Sequence, residues 1–213
     1  MKWQELLHVA VGSEVDYLPA AVSSIVFCLL TMILCVFMHK LSNTLLPSSI
    51  KLYASDYFKC LAFCTYPLGY GITRTYHGHI GFIVIMVPIN VASLLIMTQG
   101  SVTPVDNFLD FIKGKQTLFK SVLRTIVQII GAVSAFYLAQ QIMMLEFHGD
   151  FADIVSKACT TDLKISVAVG FLLEMMGTWW DCWWWSQKRS KYPHLDLVIL
   201  STNTALLVSL GET

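Results

Sequence analysis

The sequence predicts an all-α, polytopic transmembrane helical bundle, and three observations predict it. Charge is scarce: 13% of the 213 residues are Asp, Glu, Lys or Arg while 55% are hydrophobic, whereas soluble domains carry about 25% charged residues. The charge is also kept out of long runs. Residues 18–38 and 125–145 are each 21 residues without a charge, and no Lys, Arg, Asp or Glu lies between Arg74 and Asp106. Finally, these runs lack the polar face that a helix lying on a soluble core shows. About 20 apolar residues rising ~1.5 Å each cross the ~30 Å hydrocarbon layer.

Six spans are expected, at 18–39, 51–73, 79–99, 118–145, 164–187 and 194–211, within one membrane domain of residues 18–213. Residues 1–17 form an N-terminal segment ahead of it. The first run is no cleavable signal, since it ends Val36-Phe37-Met38-His39-Lys40 without a small-residue cleavage site. The second span is interrupted by Asp56 and Lys59. The segment 104–112 is too short to span and reads as a re-entrant half-helix, with Pro104 suited to a first helical turn. The run Trp179-Trp180-Asp181-Cys182-Trp183-Trp184-Trp185, followed by Lys188 and Arg189, reads as an interfacial aromatic belt.

Positive charge sets the orientation. Lys40, Lys51, Lys113, Lys115, Lys120, Arg124, Lys188, Arg189 and Lys191 all fall on one side if the spans alternate and 104–112 does not cross. Arg74, Lys157 and Lys164 fall on the other. By the positive-inside rule the first group is cytosolic and the N-terminal segment is not.

Composition and site chemistry exclude other classes. A formal net charge of zero without a basic stripe speaks against nucleic-acid binding. Of the six cysteines, Cys28, Cys35, Cys60, Cys64 and Cys182 sit in apolar runs as small hydrophobes and Cys159 lies in a polar loop. Cys60 and Cys64 lie one helical turn apart, without the two further ligands that a four-coordinate metal site needs. No metal or other cofactor is expected. Glu174 and Asp181 are seven residues apart on one face. With no nucleophile–base pair near them, an intramembrane enzyme is not expected.

Two stretches carry a resemblance. The first runs from Gly100 through Thr103-Pro104-Val105 to Gln128-Ile129-Ile130-Gly131-Ala132; the second is Glu174-Met175-Met176-Gly177-Thr178. Their order and spacing resemble the aquaporin family. Thr103-Pro104-Val105 stands where the family has its first Asn-Pro-Ala box, and Glu174 where it has a fourth-span glutamate. The degenerate box, the extra apolar segment at the front and Ala158-Cys159 in the loop 146–163 resemble the unorthodox superaquaporin branch. The resemblance implies an aquaporin-like bundle with a half-helix N-terminus near the bilayer midplane, where its partial positive charge repels cations. It implies that Thr103 caps the half-helix in place of asparagine, and that Glu174 faces the interior and supports a pore loop. Phe82 or Ile83 falls near the family's constriction. Asp181 either lines a polar cavity or is protonated and bonded to a neighbour. The first-span glutamate has no counterpart: Ala54 stands at its position and Asp56 lies two residues away.

The implied activity is passive passage of water or small neutral solutes such as glycerol or hydrogen peroxide, with the lipid bilayer as surroundings. Homo- or hetero-tetramers with other aquaporins are the family habit. Intracellular membranes, the endoplasmic reticulum especially, are the implied location, with the plasma membrane as the alternative. In the family, a sequence such as the final Ser209-Leu210-Gly211-Glu212-Thr213 runs on into a second box and a last span. The expectation is therefore a bundle incomplete at its C-terminus. Its alternative role is a non-conducting member that regulates or retains a full-length relative.

Overall fold

The computed structural model describes residues 18–156, 166–186 and 193–210. The N-terminal segment 1–17, the Ala158-Cys159 stretch with Lys157 and Lys164, the cluster Lys188–Lys191 and the last three residues lie outside the described residues. Among the described residues seven helices follow in order: α1 (Ala20–Leu45), α2 (Ser48–Ile96), α3 (Pro104–Ile112), α4 (Leu118–Met143), α5 (Gly149–Ser156), α6 (Val167–Ser186) and α7 (Pro193–Leu210). The loop expected at 146–163 contains α5. Among the described residues there is no strand.

Among the described residues three helices, α1, α2 and α4, are long and apolar enough to cross a membrane. At 49 residues, α2 would be about 73 Å long if straight, more than twice the hydrocarbon layer. It is folded at Gly78, whose φ of 63° and ψ of −165° are non-helical. That region of backbone space is essentially glycine-only. Side chains then pair across the fold: the Tyr66 hydroxyl lies 2.7 Å from Ser93 Oγ, and Tyr70 Oη donates to Asn90 Oδ1 at 3.4 Å. Each pair sums to nearly the same number, so residues 48–77 and 79–96 are antiparallel arms. Thus α1, the two arms of α2, and α4 overlap in sequence with the first four segments expected as spans. α6 and α7 stand where the fifth and sixth are expected; α7 packs on α2, and α6 on α7.

The burial pattern is inverted relative to a soluble bundle. On α1 the buried positions include Ser23, Ser24, Cys28, Thr31, Cys35, His39 and Ser42; on α4 they include Ser121, Arg124, Gln128, Gly131, Ala135 and Ala139. Both sets recur every three or four residues, which places each on one helical face. The opposite faces expose large apolar side chains, such as Ile33 and Phe37 on α1 and Ile129, Val133 and Phe136 on α4. Small and polar residues inside with apolar residues outside is the arrangement that lipid favours. At Gly131 an added Cβ would come within 2.8 Å of the Tyr57 carbonyl oxygen, so the absent side chain is what lets α4 approach α2.

The interhelical bonds also fix direction. Ser24 Oγ donates to the Gly69 carbonyl at 2.8 Å and Ser55 Oγ to Asn43 Oδ1 at 3.1 Å, so α1 is antiparallel to the first arm of α2. Cys60 Sγ reaches the Gln128 carbonyl and Thr65 Oγ1 the Ala135 carbonyl, so α4 runs parallel to that arm. The second arm of α2 ends, and α4 begins, at the same end of the bundle. The segment between them, α3, does not cross. This is the topology the charge count requires, and it gathers Lys40, Lys51, Lys113, Lys115, Lys120 and Arg124 at that end.

Candidate functional site: a tethered half-helix

Between the second arm of α2 and α4 the chain turns inward. Gly100 sits at φ 81°, and an added Cβ there would meet the Ser55 carbonyl carbon at 2.7 Å. Only glycine lets the loop lie against the backbone of α2 in this way. Lys59, itself buried, donates to the Gly100 carbonyl at 3.1 Å, and Asp56 Oδ1 accepts the Ser101 backbone N–H at 2.7 Å.

The Asp56 carboxylate is the hub of the site. Arg124 on α4 grips it from two sides, Nε to Oδ2 at 2.6 Å and Nη2 to Oδ1 at 2.9 Å. Both side chains are buried. An isolated charge in a low-dielectric interior is heavily penalised, and a two-pronged guanidinium–carboxylate pair with further hydrogen bonds is the geometry that offsets it. Arg124 also donates through Nη1 to Gln116 Oε1 at 3.3 Å.

Gln128, one turn further along α4, fixes the start of α3. Its Nε2 donates to the carbonyls of Ser101 and Thr103 at 3.1 and 3.3 Å, and its Oε1 accepts from Asn107 Nδ2 at 2.9 Å. The carbonyl of Asn107 accepts from Ser121 Oγ and Gln116 Nε2, both at 2.7 Å. Depth follows from these partners. Gln128 lies about 15 Å along α4 from its start, and α4 is about 39 Å long. The N-terminus of α3 is level with Gln128; its later residues return towards Ser121 and Gln116 at the start of α4. The half-helix enters, turns at Thr103 and goes back out. The sequence prediction of a non-crossing helix at 104–112 matches α3 residue for residue.

Pro104 occupies the first turn of α3 as expected. Thr103 is corrected: it is the residue ahead of the helix, but its side chain makes no capping bond. Gln128 holds its carbonyl instead, and its exposed side chain is left free of that role. Ser101 Oγ lies 2.7 Å from Asp106 Oδ2 and 3.0 Å from the Thr103 carbonyl, so its one proton serves either. Asp106 in the first turn places negative charge against the positive end of the helix dipole. Asn107 is fully buried, and its Oδ1 has no hydrogen-bond partner.

The other residues singled out in the sequence lie outside α3, on α2 and α6. Phe82 is buried, with its ring edge-on to Tyr70 at 5.6 Å, because the turn at Gly78 brings the two arms of α2 together there. Ile83 is partly buried against the same core. Glu174 is exposed on α6, since α6 packs on α7 rather than on the core helices. Asp181 faces α7, in hydrogen-bonding reach of Thr204, with its Oδ1 buried and unpartnered.

Asp56 and Lys59 read in the sequence as flaws in a span, and Arg124 as one more loop cation. The usable signal was their cost: charges inside an apolar run need partners, and Asp56 and Arg124 are opposite in sign. No family model, curated protein or solved structure matches the chain, so its character rests on this geometry: a membrane-type bundle with one short helix tied inward by a buried ion pair.

Proposed function

We propose that the chain is a channel-type membrane protein that passes water or small neutral solutes, glycerol or hydrogen peroxide among them, with α3 forming part of the pathway wall. The observation that carries this reading is the depth of the α3 N-terminus, beside Gln128 and about 15 Å into α4. The first backbone N–H groups of a helix have no intrahelical partner and carry about half a positive charge. Set within the membrane, they offer hydrogen bonds to a neutral solute, while Asp106 in the first turn offsets part of the positive end that would repel a cation. Irregular backbone such as 97–103 is tolerated at membrane depth where protein or a water-filled cavity surrounds it. The ordered resemblance of Thr103-Pro104-Val105 and the Gln128 segment to aquaporins supports the same reading. It also suggests assembly with aquaporins and an intracellular, endoplasmic reticulum membrane.

The test is osmotic swelling of proteoliposomes made with the purified chain. Water or glycerol flux above that of empty vesicles is expected. Folded protein in the vesicles with no added flux would sink the proposal. A second reading is favoured by one observation: Thr103, Pro104, Asp106 and Phe108 on α3 are exposed. A chain that offers this face to a relative would regulate or retain that relative without conducting. Co-purification with a full-length aquaporin, coupled with no flux from the chain alone, is the result that would select it.

A further inference from the structure

Cys60 and Cys64 project from the first arm of α2 one turn apart, with their sulfurs 3.8 Å from each other. Both thiols are free. Cys60 is buried and also reaches the Gln128 carbonyl at 3.2 Å; Cys64 is half-buried. We infer that Cys60 and Cys64 form a two-sulfur chelating site for a soft, thiophilic divalent ion that accepts two-coordination. The inference is independent of solute passage.

Three arguments define the ion. Thiolates select soft metals over oxygen-seeking ones. A zinc site needs four ligands, or three and a water, and among the described residues no group of three or more His, Cys, Asp or Glu side chains is placed to hold a metal. That leaves ions satisfied by two sulfurs. Two metal–sulfur bonds of about 2.3 Å span up to ~4.6 Å, so the sulfurs must part by less than about 1 Å, a change side-chain torsion supplies. Burial then selects the charge. A singly charged ion on two thiolates leaves a net negative complex, which a low-dielectric span penalises, whereas a divalent ion gives a neutral one. The step balances without redox chemistry: two S–H bonds break, two protons leave to water, and the two sulfur lone pairs form two metal–sulfur bonds.

The site touches the half-helix anchor. Binding removes the proton that Cys60 shares with the Gln128 carbonyl, and the Gln128 side chain holds Ser101, Thr103 and Asn107. Occupancy of the dithiol therefore changes the support of α3 without touching it.

Mercury(II) is the probe. The full chain in detergent micelles is loaded with mercury(II) in a large excess of 2-mercaptoethanol, passed through a desalting column, and analysed for mercury per chain. The competing monothiol strips single-cysteine sites and leaves a chelate. One mercury per chain is expected. Cys60→Ala and Cys64→Ala should each weaken retention at least about 100-fold, the advantage of a second tethered ligand, while Cys28→Ala and Cys182→Ala retain it. No retained mercury in the native chain, or undiminished retention in Cys64→Ala, would overturn the inference. Should Cys60→Ala fail to fold, Cys64→Ala decides alone, because the half-buried Cys64 thiol makes no contact to another helix in the hydrogen-bond network described above.

Discussion

The half-helix α3 has distinct polar and apolar faces, the paired helices α6 and α7 are apolar nearly all round, and the bundle treats them in opposite ways. α3 has nine residues, yet side chains from α2 and α4 hold it and its approach at Gly100, Ser101, Thr103 and Asn107. α6 has twenty residues and far more apolar surface, and among the described residues its main packing partner is α7. In lipid, apolar area gives little reason to choose one neighbour over another, because the surrounding chains are as apolar as the helix itself. Polar groups choose. A buried carboxylate, guanidinium or amide has few acceptable partners, and those partners set where the segment lies. The contrast teaches that position in this bundle follows unsatisfied polarity rather than hydrophobicity.

The sharpest way to break the comparison is at its hub. Asp56→Ala leaves Arg124 buried and unpaired and should lower the stability of the bundle by about 3–5 kcal/mol, read as a fall in the unfolding midpoint in detergent. Adding Arg124→Met to Asp56→Ala should recover a large part of that loss, since the stranded charge is gone. If the double variant loses the full sum of the two single effects, the pair is not coupled and the hub is misassigned.

Next in size is Gly100→Ala. It combines a left-handed φ with a Cβ clash against the backbone at Ser55, and a loss of about 2–4 kcal/mol is expected. Gly78→Ala, at a position with open space around it, tests conformation alone and should lose about 1–3 kcal/mol. Equal losses at both sites would mean that the close approach at Gly100 contributes nothing.

Gln128→Leu sharpens the comparison. It removes the bonds to Ser101, Thr103 and Asn107 and strands buried carbonyls, for a loss of about 1–3 kcal/mol. The clearer readout is local: backbone amides of 104–112 should exchange faster with solvent while those of α1 keep their protection. Uniform change through the bundle would count against a local tether. The smallest effect belongs to Glu174→Gln, which should leave the unfolding midpoint where it is. A marked drop would show that α6 is held by that carboxylate.

Much of the fold was legible because membrane helices announce themselves by what they exclude. The charge-free runs pointed to α1, the second arm of α2 and most of α4, and the distribution of lysines required α3 to stay on one side. The helix start at Pro104 was legible because proline at a first turn is a local rule. The site was less so. Asp56 and Arg124 are 68 residues apart, and a sequence states that each charge needs a partner without stating which. Thr103 was a reasonable cap by residue type, but the Gln128 amide reached its carbonyl first. The exposed Glu174 shows the same limit from the other side. A carboxylate in an apolar run has to be relieved, and packing on α7 leaves it at the surface instead of in the core.

The span between Asp56 and Arg124 has a consequence for biosynthesis. A ribosome adding about 5–20 residues per second needs roughly 3–14 s to go from one to the other. During that interval the first arm of α2 carries its acid without the guanidinium that will neutralise it. Lys59, three residues on and within electrostatic range of Asp56, is by then already made. Asp56 and Lys59 can therefore offset one another in the early helices, and the two-pronged pair with Arg124 completes the hub only once α4 has been made.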